Sequence, residues 1–328
     1  MATGPDTHLR PRPSARHPRR AVALVAAVLL IALSAACGGG GDDAASDDSG
    51  ASATSTTPED AVDLGDRVVV VGEEDLLADV LALGIEPVAA TATVAEAGFQ
   101  GLDEYDTDGI EVLPQTDLSV DALFAQEPTT VITLQFWIDQ IDPTLADDLA
   151  GQTQLLVVPD ALPSDEAIVA LGELVGRQDR AEAIVEDLAA AQQEAGGAVA
   201  DDCSVTVAAI YPGPSPAVFV DGPWVIPSSL IDAGCDLAPD PDGLDVDANG
   251  RVYLSTERLD LMSGPVLILL QAPAVDGDTA ALDELQQDRV WQTLPAVQAD
   301  AVHVVDRLGY PGATGHIRFL REIPDLIG

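Results

Sequence analysis

The stretch SDEAIVALGELVGRQDRAEAIVEDLAAAQQEA, residues 164–195, most constrains what this chain can fold into, because its pattern predicts one long helix. Ser164 can cap the free N–H groups, Asp165 and Glu166 fall in the first turn where the helix dipole favours anions, and Gly196-Gly197 can end it. Ile168, Leu171, Val175, Ile184, Leu188 and Ala191 fall mostly at three- or four-residue spacing, an apolar stripe with Glu and Arg between its members facing water. At 1.5 Å per residue such a helix runs roughly 48 Å, longer than one small lobe is wide. It is expected to act as a strut spanning two halves, with a cleft beside it. The alternative is an ordinary helix inside one continuous domain.

The flanks support two halves. In the first, residues 67–71, 87–90, 110–113, 130–134 and 155–158 read as buried strands, and 74–83, 119–126 and 143–150 as helices. Unbroken Val, Ile and Leu runs separated by helices indicate a parallel sheet covered on both faces. The second half repeats the arrangement, with strands at 205–210, 218–220, 266–270 and 302–305 and helices at 228–233, 256–262, 280–286 and 315–320. The expected fold class is α/β: two Rossmann-like lobes, 66–162 and 198–328, joined by the helix over 163–197, with a ligand cleft between them. No GxGxxG, GxxxxGK[ST] or GxSxG motif is present, so neither nucleotide binding nor α/β-hydrolase chemistry has support.

The N-terminus reads as an export signal. Arg10, Arg12, Arg16, Arg19 and Arg20 precede an apolar run over 21–33, followed by Ser34-Ala35-Ala36-Cys37. That run is shorter than the roughly 20 residues that span a bilayer, so residues 1–36 are expected to be a cleaved signal peptide. Cys37 after small residues resembles a bacterial lipobox, with Leu33 four positions before it where the usual pattern has three. The resemblance implies acylation of Cys37. Residues 37–65 begin with Gly, Asp, Ser, Ala and Thr and lack the apolar content for a core, so they read as a flexible tether. The soluble body is then expected outside the cell membrane, held at its outer face by lipid.

All basic residues are Arg. From Cys37 onward nine of them face fifty-five Asp and Glu, a net charge of about −46 against −42 for the whole sequence. With no basic face to displace counterions, nucleic-acid binding is excluded. Cys203 and Cys235, in an exported chain, are expected to form a disulfide; the alternative is two buried free thiols.

Three segments resemble the family of substrate-binding lipoproteins that deliver ferric siderophores, haem or cobalamin to ABC importers. DLSVDALFAQEPTTVI (117–132) resembles a helix ending in "ALKPD" before a strand, LSTERLDLMSGPVLIL (254–269) resembles its counterpart in the second lobe, and VWQTLPAVQADAVHVVD (290–306) resembles the family's "W…LPAVKAGRVYVVD" segment. RVVVVGEEDLLADVLALGIEPVAA fits the family's opening strand and helix. The resemblance implies a monomeric binding protein and not an enzyme, with no cofactor of its own, a metal chelate as ligand and membrane permease subunits as partners. It places the carboxylates that would pair with permease arginines on Asp121 and Glu257; the first is usually Glu in the family.

Ligands of open α/β sheets sit at the C-terminal ends of strands. Those ends offer Gly72-Glu73-Glu74, residues 91–93 and Gln135-Phe136-Trp137 from the first half, and Tyr211, Trp224, Gln271, Arg307 and Tyr310 from the second. Trp137 and Trp224 are favoured as flat apolar walls, though either could be core; Trp291, within the Leu-Pro segment, reads as core. Arg307 could serve the ligand or pair with Asp306 or Asp300. No Arg or Lys lies in residues 68–176, so a strongly anionic tricatecholate is disfavoured against a ferric hydroxamate or cobalamin. Of the rivals, a bare-metal importer needs more histidines than His303 and His316, an enzyme lacks any readable nucleophile and base, and a sensor of the same fold remains open.

Overall fold

The computed structural model describes residues 62–327 apart from 117, 142, 143, 150, 161, 214, 215 and 223. The expected signal peptide, Cys37 and most of the tether lie outside the described residues.

The first lobe runs β1 (Val68–Val71), α1 (Glu74–Ala82), β2 (Ala89–Ala92), β3 (Glu111–Pro114), α2 (Val120–Phe124), β4 (Thr130–Leu134), α3 (Gln135–Ile141), α4 (Leu145–Leu149) and β5 (Gln154–Val158). Its sheet is parallel throughout, in the order β3-β2-β1-β4-β5. The period of two along β1 sorts the core. Val68 and Val70 pack with Leu77 and Val80 of α1 on one face, and Val69 and Val71 with Leu123 and Leu149 on the other. Strand order reverses beside β1, and at such a switch point the strand C-termini leave a crevice.

Two helices follow, α5 (Ser164–Val175) and α6 (Gln178–Ala198), where one was expected. Gly176 adopts φ 66° and ψ 42°, a left-handed conformation open to glycine without cost, and the Arg177 N–H closes onto the Gly172 carbonyl at 2.7 Å. The apolar stripe carries the trace of this break. Val175 and Ile184 are nine residues apart, half a turn out of phase at 100° per residue, so one straight helix could not keep both on the same face. The spanning role falls to α6 alone, about 31 Å long at 1.5 Å per residue. Ala181 belongs to the first lobe's core, Leu188, Ala191 and Ala195 to the second's, and Ile184 packs against both.

The second lobe contains β6 (Ser204–Ala209), β7 (Ala217–Phe219), α7 (Val225–Asp232), β8 (Asp236–Leu237), β9 (Arg251–Tyr253), β10 (Val266–Gln271), α8 (Asp278–Gln286), α9 (Pro295–Gln298), β11 (Val302–Asp306) and α10 (Gly312–Ile327). Its main sheet runs β11-β10-β6-β7-β9, with β7 and β9 antiparallel to their neighbours, so this lobe is not a plain repeat of the first. The helix expected over 256–262 is a 3-10 turn, Thr256–Leu261. Trp291 is core, 4% exposed. Cys203 and Cys235 form a disulfide across a Cα separation of 4.7 Å, stapling the start of β6 to the start of β8.

The last helix joins the lobes a second time. α10 packs on α6 and α7 and also on α1 of the first lobe. Its first free N–H groups are capped from across the cleft: Asp75 Oδ1 accepts from Gly312 N at 2.9 Å and Asp79 Oδ1 from Ala313 N at 2.8 Å. Gly312 has φ +65°, and a Cβ there would lie 2.6 Å from Asp79 Oδ1. Tyr105 meets Thr314 through hydroxyl oxygens 2.9 Å apart, and Arg318 pairs with Glu104 at 2.9 Å.

Candidate functional site

The strand C-termini of the two sheets face one another across a cleft of two chambers, about 280 and 450 Å³, which share Glu73, Asp75, Trp224 and Val225 in their walls. The smaller chamber is walled mainly by the second lobe, through Tyr211 after β6, Trp224 before α7, Arg251 on β9, Arg307 after β11, and Tyr310. Leu134, Phe136, Trp137, Val158, Asp160 and Leu171 of the first lobe wall the larger.

The aromatic side chains are held in different ways. Phe136 and Trp137 stand on the first turn of α3, which begins directly where β4 ends, and Asp160 Oδ1 accepts the Phe136 N–H at 2.9 Å. Their rings meet edge to face with centroids 5.3 Å apart, and Trp137 also packs against the core beneath. Trp224, 42% exposed, projects from the N-terminal end of α7 into both chambers. Tyr310 packs edge to face on Phe319 and donates its hydroxyl to Glu322 at 2.5 Å. Burial and the Glu322 carboxylate push that phenol well above the ordinary tyrosine range.

Two guanidinium groups reach the smaller chamber, each tied to an aspartate behind the wall. Arg307 Nη1 donates to Asp278 Oδ2 at 2.8 Å, so its partner is neither Asp306 nor Asp300. Asp278 is fully buried; its Oδ2 also takes the Ala272 N–H at 2.9 Å, while Oδ1 has no hydrogen-bond partner. The Arg307 guanidinium lies 5.2 Å from the Tyr211 ring centroid. Arg251 donates Nε and Nη2 to Asp247 Oδ2, both at 3.0 Å, and lies over Trp224 at 5.8 Å and Tyr253 at 5.4 Å. Desolvation works to raise the Asp247 carboxyl, but the backbone N–H groups of Arg251 and Asn249 and the Arg251 guanidinium together hold it below the usual carboxylate range.

The first lobe answers with carboxylates at the start of α1. Glu74 is buried, its oxygens accepting from the backbone N–H and hydroxyl of Thr93 at 3.0 and 2.5 Å. Glu73 still meets solvent, yet the cleft walls displace enough water, with Asp75 and Glu74 nearby, to push its carboxyl up to about 7, against the Gln115 amide that favours the charged form. Asp75 is pushed up by desolvation too, opposed by the Gly312 N–H it accepts. Asp79, buried beneath, is driven from 3.8 to about 7 by burial, against the Ala313 N–H and with Asp75 adding repulsion.

The structure thus brings Phe136, Trp137, Tyr211, Trp224, Arg307 and Tyr310 to one cleft. Gln271 is 7% exposed, gives its amide N–H to Thr279 Oγ1 at 2.6 Å and lines neither chamber. Glu73, Glu74 and Thr93, expected at strand ends of the first lobe, line the smaller chamber, whereas Arg251 and Asp75 were not among the candidates. Arg251 follows Asn249-Gly250, with Gly250 at φ 73°, a turn signal that marks the start of β9. Asp121, in the first turn of α2 behind the Ser119 cap, and Glu257, in the 3-10 turn, are both exposed and line neither chamber. His303 lies in β11, and His316 is buried with Nδ1 3.2 Å from Ser164 Oγ. Among the described residues, no group of three or more His, Cys, Asp or Glu is placed to hold a metal ion.

The sequence profile of the periplasmic binding protein family matches residues 69–307, from β1 to the cleft residue Arg307. The chain belongs to the periplasmic binding protein family. Membership makes it an extracytoplasmic binding protein and not an enzyme. No curated protein matches it in sequence. Among solved structures, this binding protein is similar to FeuA of Bacillus subtilis, a triscatecholate siderophore binding protein complexed with ferri-bacillibactin (TM-score 0.65, 18% identity, 82% of this chain and 94% of that one covered). It is similar also to FhuD2 of Staphylococcus aureus with bound ferrioxamine B (0.62, 17%, 80% and 98%) and to the siderophore periplasmic binding protein from the fuscachelin gene cluster of Thermobifida fusca (0.63, 22%, 80% and 96%). At these identities the likeness is one of fold. Among the described residues no helix of the binding protein is long and apolar enough to cross a membrane.

Proposed function

We propose that this binding protein captures a ferric siderophore of the hydroxamate type outside the cell membrane and hands it to an ABC importer. The observation that carries the reading is the cleft lining: aromatic rings from both lobes across the two chambers, with the two guanidinium groups of Arg251 and Arg307 each paired with an aspartate. The structurally similar proteins hold catecholate complexes in one case and ferrioxamine B in another, so lining chemistry has to discriminate. Three hydroxamates neutralise Fe(III), whereas three catecholates leave a complex of charge 3−, for which two guanidinium groups already paired with aspartates offer no net positive charge. Flat, partly exposed rings such as Trp224 give a rounded chelate its apolar contact.

In this reading Asp121 and Glu257 meet permease arginines. Exposed pairs of this kind contribute about 0.2–1 kcal/mol each, and their value lies in orientation and encounter rate. Cys37 carries the lipid that keeps the body near its permease.

The test is quenching of tryptophan fluorescence during titration with ferrioxamine B, ferri-bacillibactin, cobalamin and haem. Saturable binding of ferrioxamine B is expected, weakened about 10- to 100-fold in Trp224→Ala, the size of an aromatic anchor's loss. Preference for cobalamin or haem would replace the ligand class, and no response to any of the four would sink the transport reading in favour of a sensor with this fold.

A further inference from the structure

We propose that Asp247 and Asp278 set the ligand-charge selectivity of the cleft by masking its two arginines. The inference rests on the ferric-chelate reading above and adds the residues that decide which chelate is refused.

Neither aspartate lines the smaller chamber, yet each holds a guanidinium that does. Both are anchored by backbone before any ligand arrives. Asp278 Oδ2 takes the Ala272 N–H, and Asp247 Oδ1 takes the N–H groups of Asn249 at 2.8 Å and Arg251 at 2.9 Å. Asp278 is wholly buried with one oxygen unpartnered, so its negative charge has no other cation to answer than Arg307 among its observed contacts. With their charge matched from behind, the guanidinium groups meet the chamber as flat, donor-edged surfaces stacked against Tyr211 and Trp224. A neutral chelate gains contact and hydrogen bonds from such a surface. A trianionic one meets no net positive charge at the two paired guanidinium groups.

Asn keeps the shape of Asp and an accepting oxygen while removing the charge, so Asp247→Asn or Asp278→Asn uncovers one cation at the wall. The experiment measures Kd for ferrichrome, a neutral tris-hydroxamate complex, and for ferri-bacillibactin, charge 3−, in the native protein and both variants at low and high salt. The expected result is a rise of at least about tenfold in the ratio of anionic to neutral affinity for each variant, shrinking with salt. In Asp247→Asn/Arg251→Gln, where both charges are gone, the ratio should return to the native value. Asp278 is buried, so a variant there that melts early leaves the Asp247 pair, whose aspartate side chain is 30% exposed, to decide the matter. An unchanged ratio in folded Asp247→Asn, or equal weakening of both ligands, reduces the aspartates to structural supports and overturns the proposal. A native protein that binds neither chelate overturns the chelate reading itself, before any variant is compared, whereas a native preference for the trianion overturns the masking and the hydroxamate preference with it and leaves the chelate reading standing.

Discussion

Replacing Asp79 by Asn should make the protein more stable at pH 8 and leave it nearly unchanged at pH 4. Asp79 is 7% exposed, and its Oδ1 caps Ala313 N at 2.8 Å. Burial, with Asp75 adding repulsion, raises its carboxyl from 3.8 to about 7. Below 3.8 the folded and unfolded chains both hold the proton. Between there and about 7 the folded chain retains it while the unfolded chain has released it, so native stability falls as pH rises, and above that range the whole cost is present. At about 1.4 kcal/mol per pH unit, the interval corresponds to at most about 4 kcal/mol. Asn supplies an acceptor for Ala313 and never ionises. Urea unfolding followed by circular dichroism at pH 4, 6 and 8 should therefore show the variant's advantage growing from near zero to about 2–4 kcal/mol. An advantage that does not change with pH, or one that shrinks as pH rises, would refute the assignment of an unfavourably charged Asp79.

Two further outcomes follow from the inter-lobe contact and the staple. Gly312→Ala places a Cβ 2.6 Å from Asp79 Oδ1 and 2.9 Å from Ala78 Cβ at a residue with φ +65°, and the strain and overpacking together should cost about 2–4 kcal/mol, read as a lower urea midpoint; an unchanged midpoint would show that α10 does not need this close approach. Reducing the Cys203–Cys235 bond, which closes a separation of 32 residues, should lower stability by about 3–4 kcal/mol, measured by comparing melts with and without reductant; equal melts would mean the staple constrains nothing.

The first lobe was largely legible because its strands are apolar runs bounded by polar turns, and β4 starts and stops where the Val-Ile-Thr run does. Harder features depend on contacts far along the chain. The break at Gly176 was visible only as a half-turn phase error in a stripe that otherwise reads as continuous. α10 was expected over 315–320 alone, because Gly312, Gly315 and Pro324 argue locally against a helix that the α1 caps and two cores nonetheless hold from Gly312 to Ile327. β9 has three residues, too few for a period to register, and Arg251 went with it. Arg307 was seen, but its partner lies 29 residues away behind the wall, a distance that no local pattern encodes.

The docking of α10 onto α1 also sets an order of events. Gly312 meets Asp75 across 237 residues of chain, and Ala313 sits in the same core as Val68 and Val70. A chain emerging from its N-terminal end therefore has to carry an unfinished first lobe, with Asp75 and Asp79 lacking the N–H groups they accept and an open apolar seam, until residues 312–327 emerge to close it. Contacts this distant in sequence make for slow folding, and they leave closure of the first lobe to the last helix of the chain.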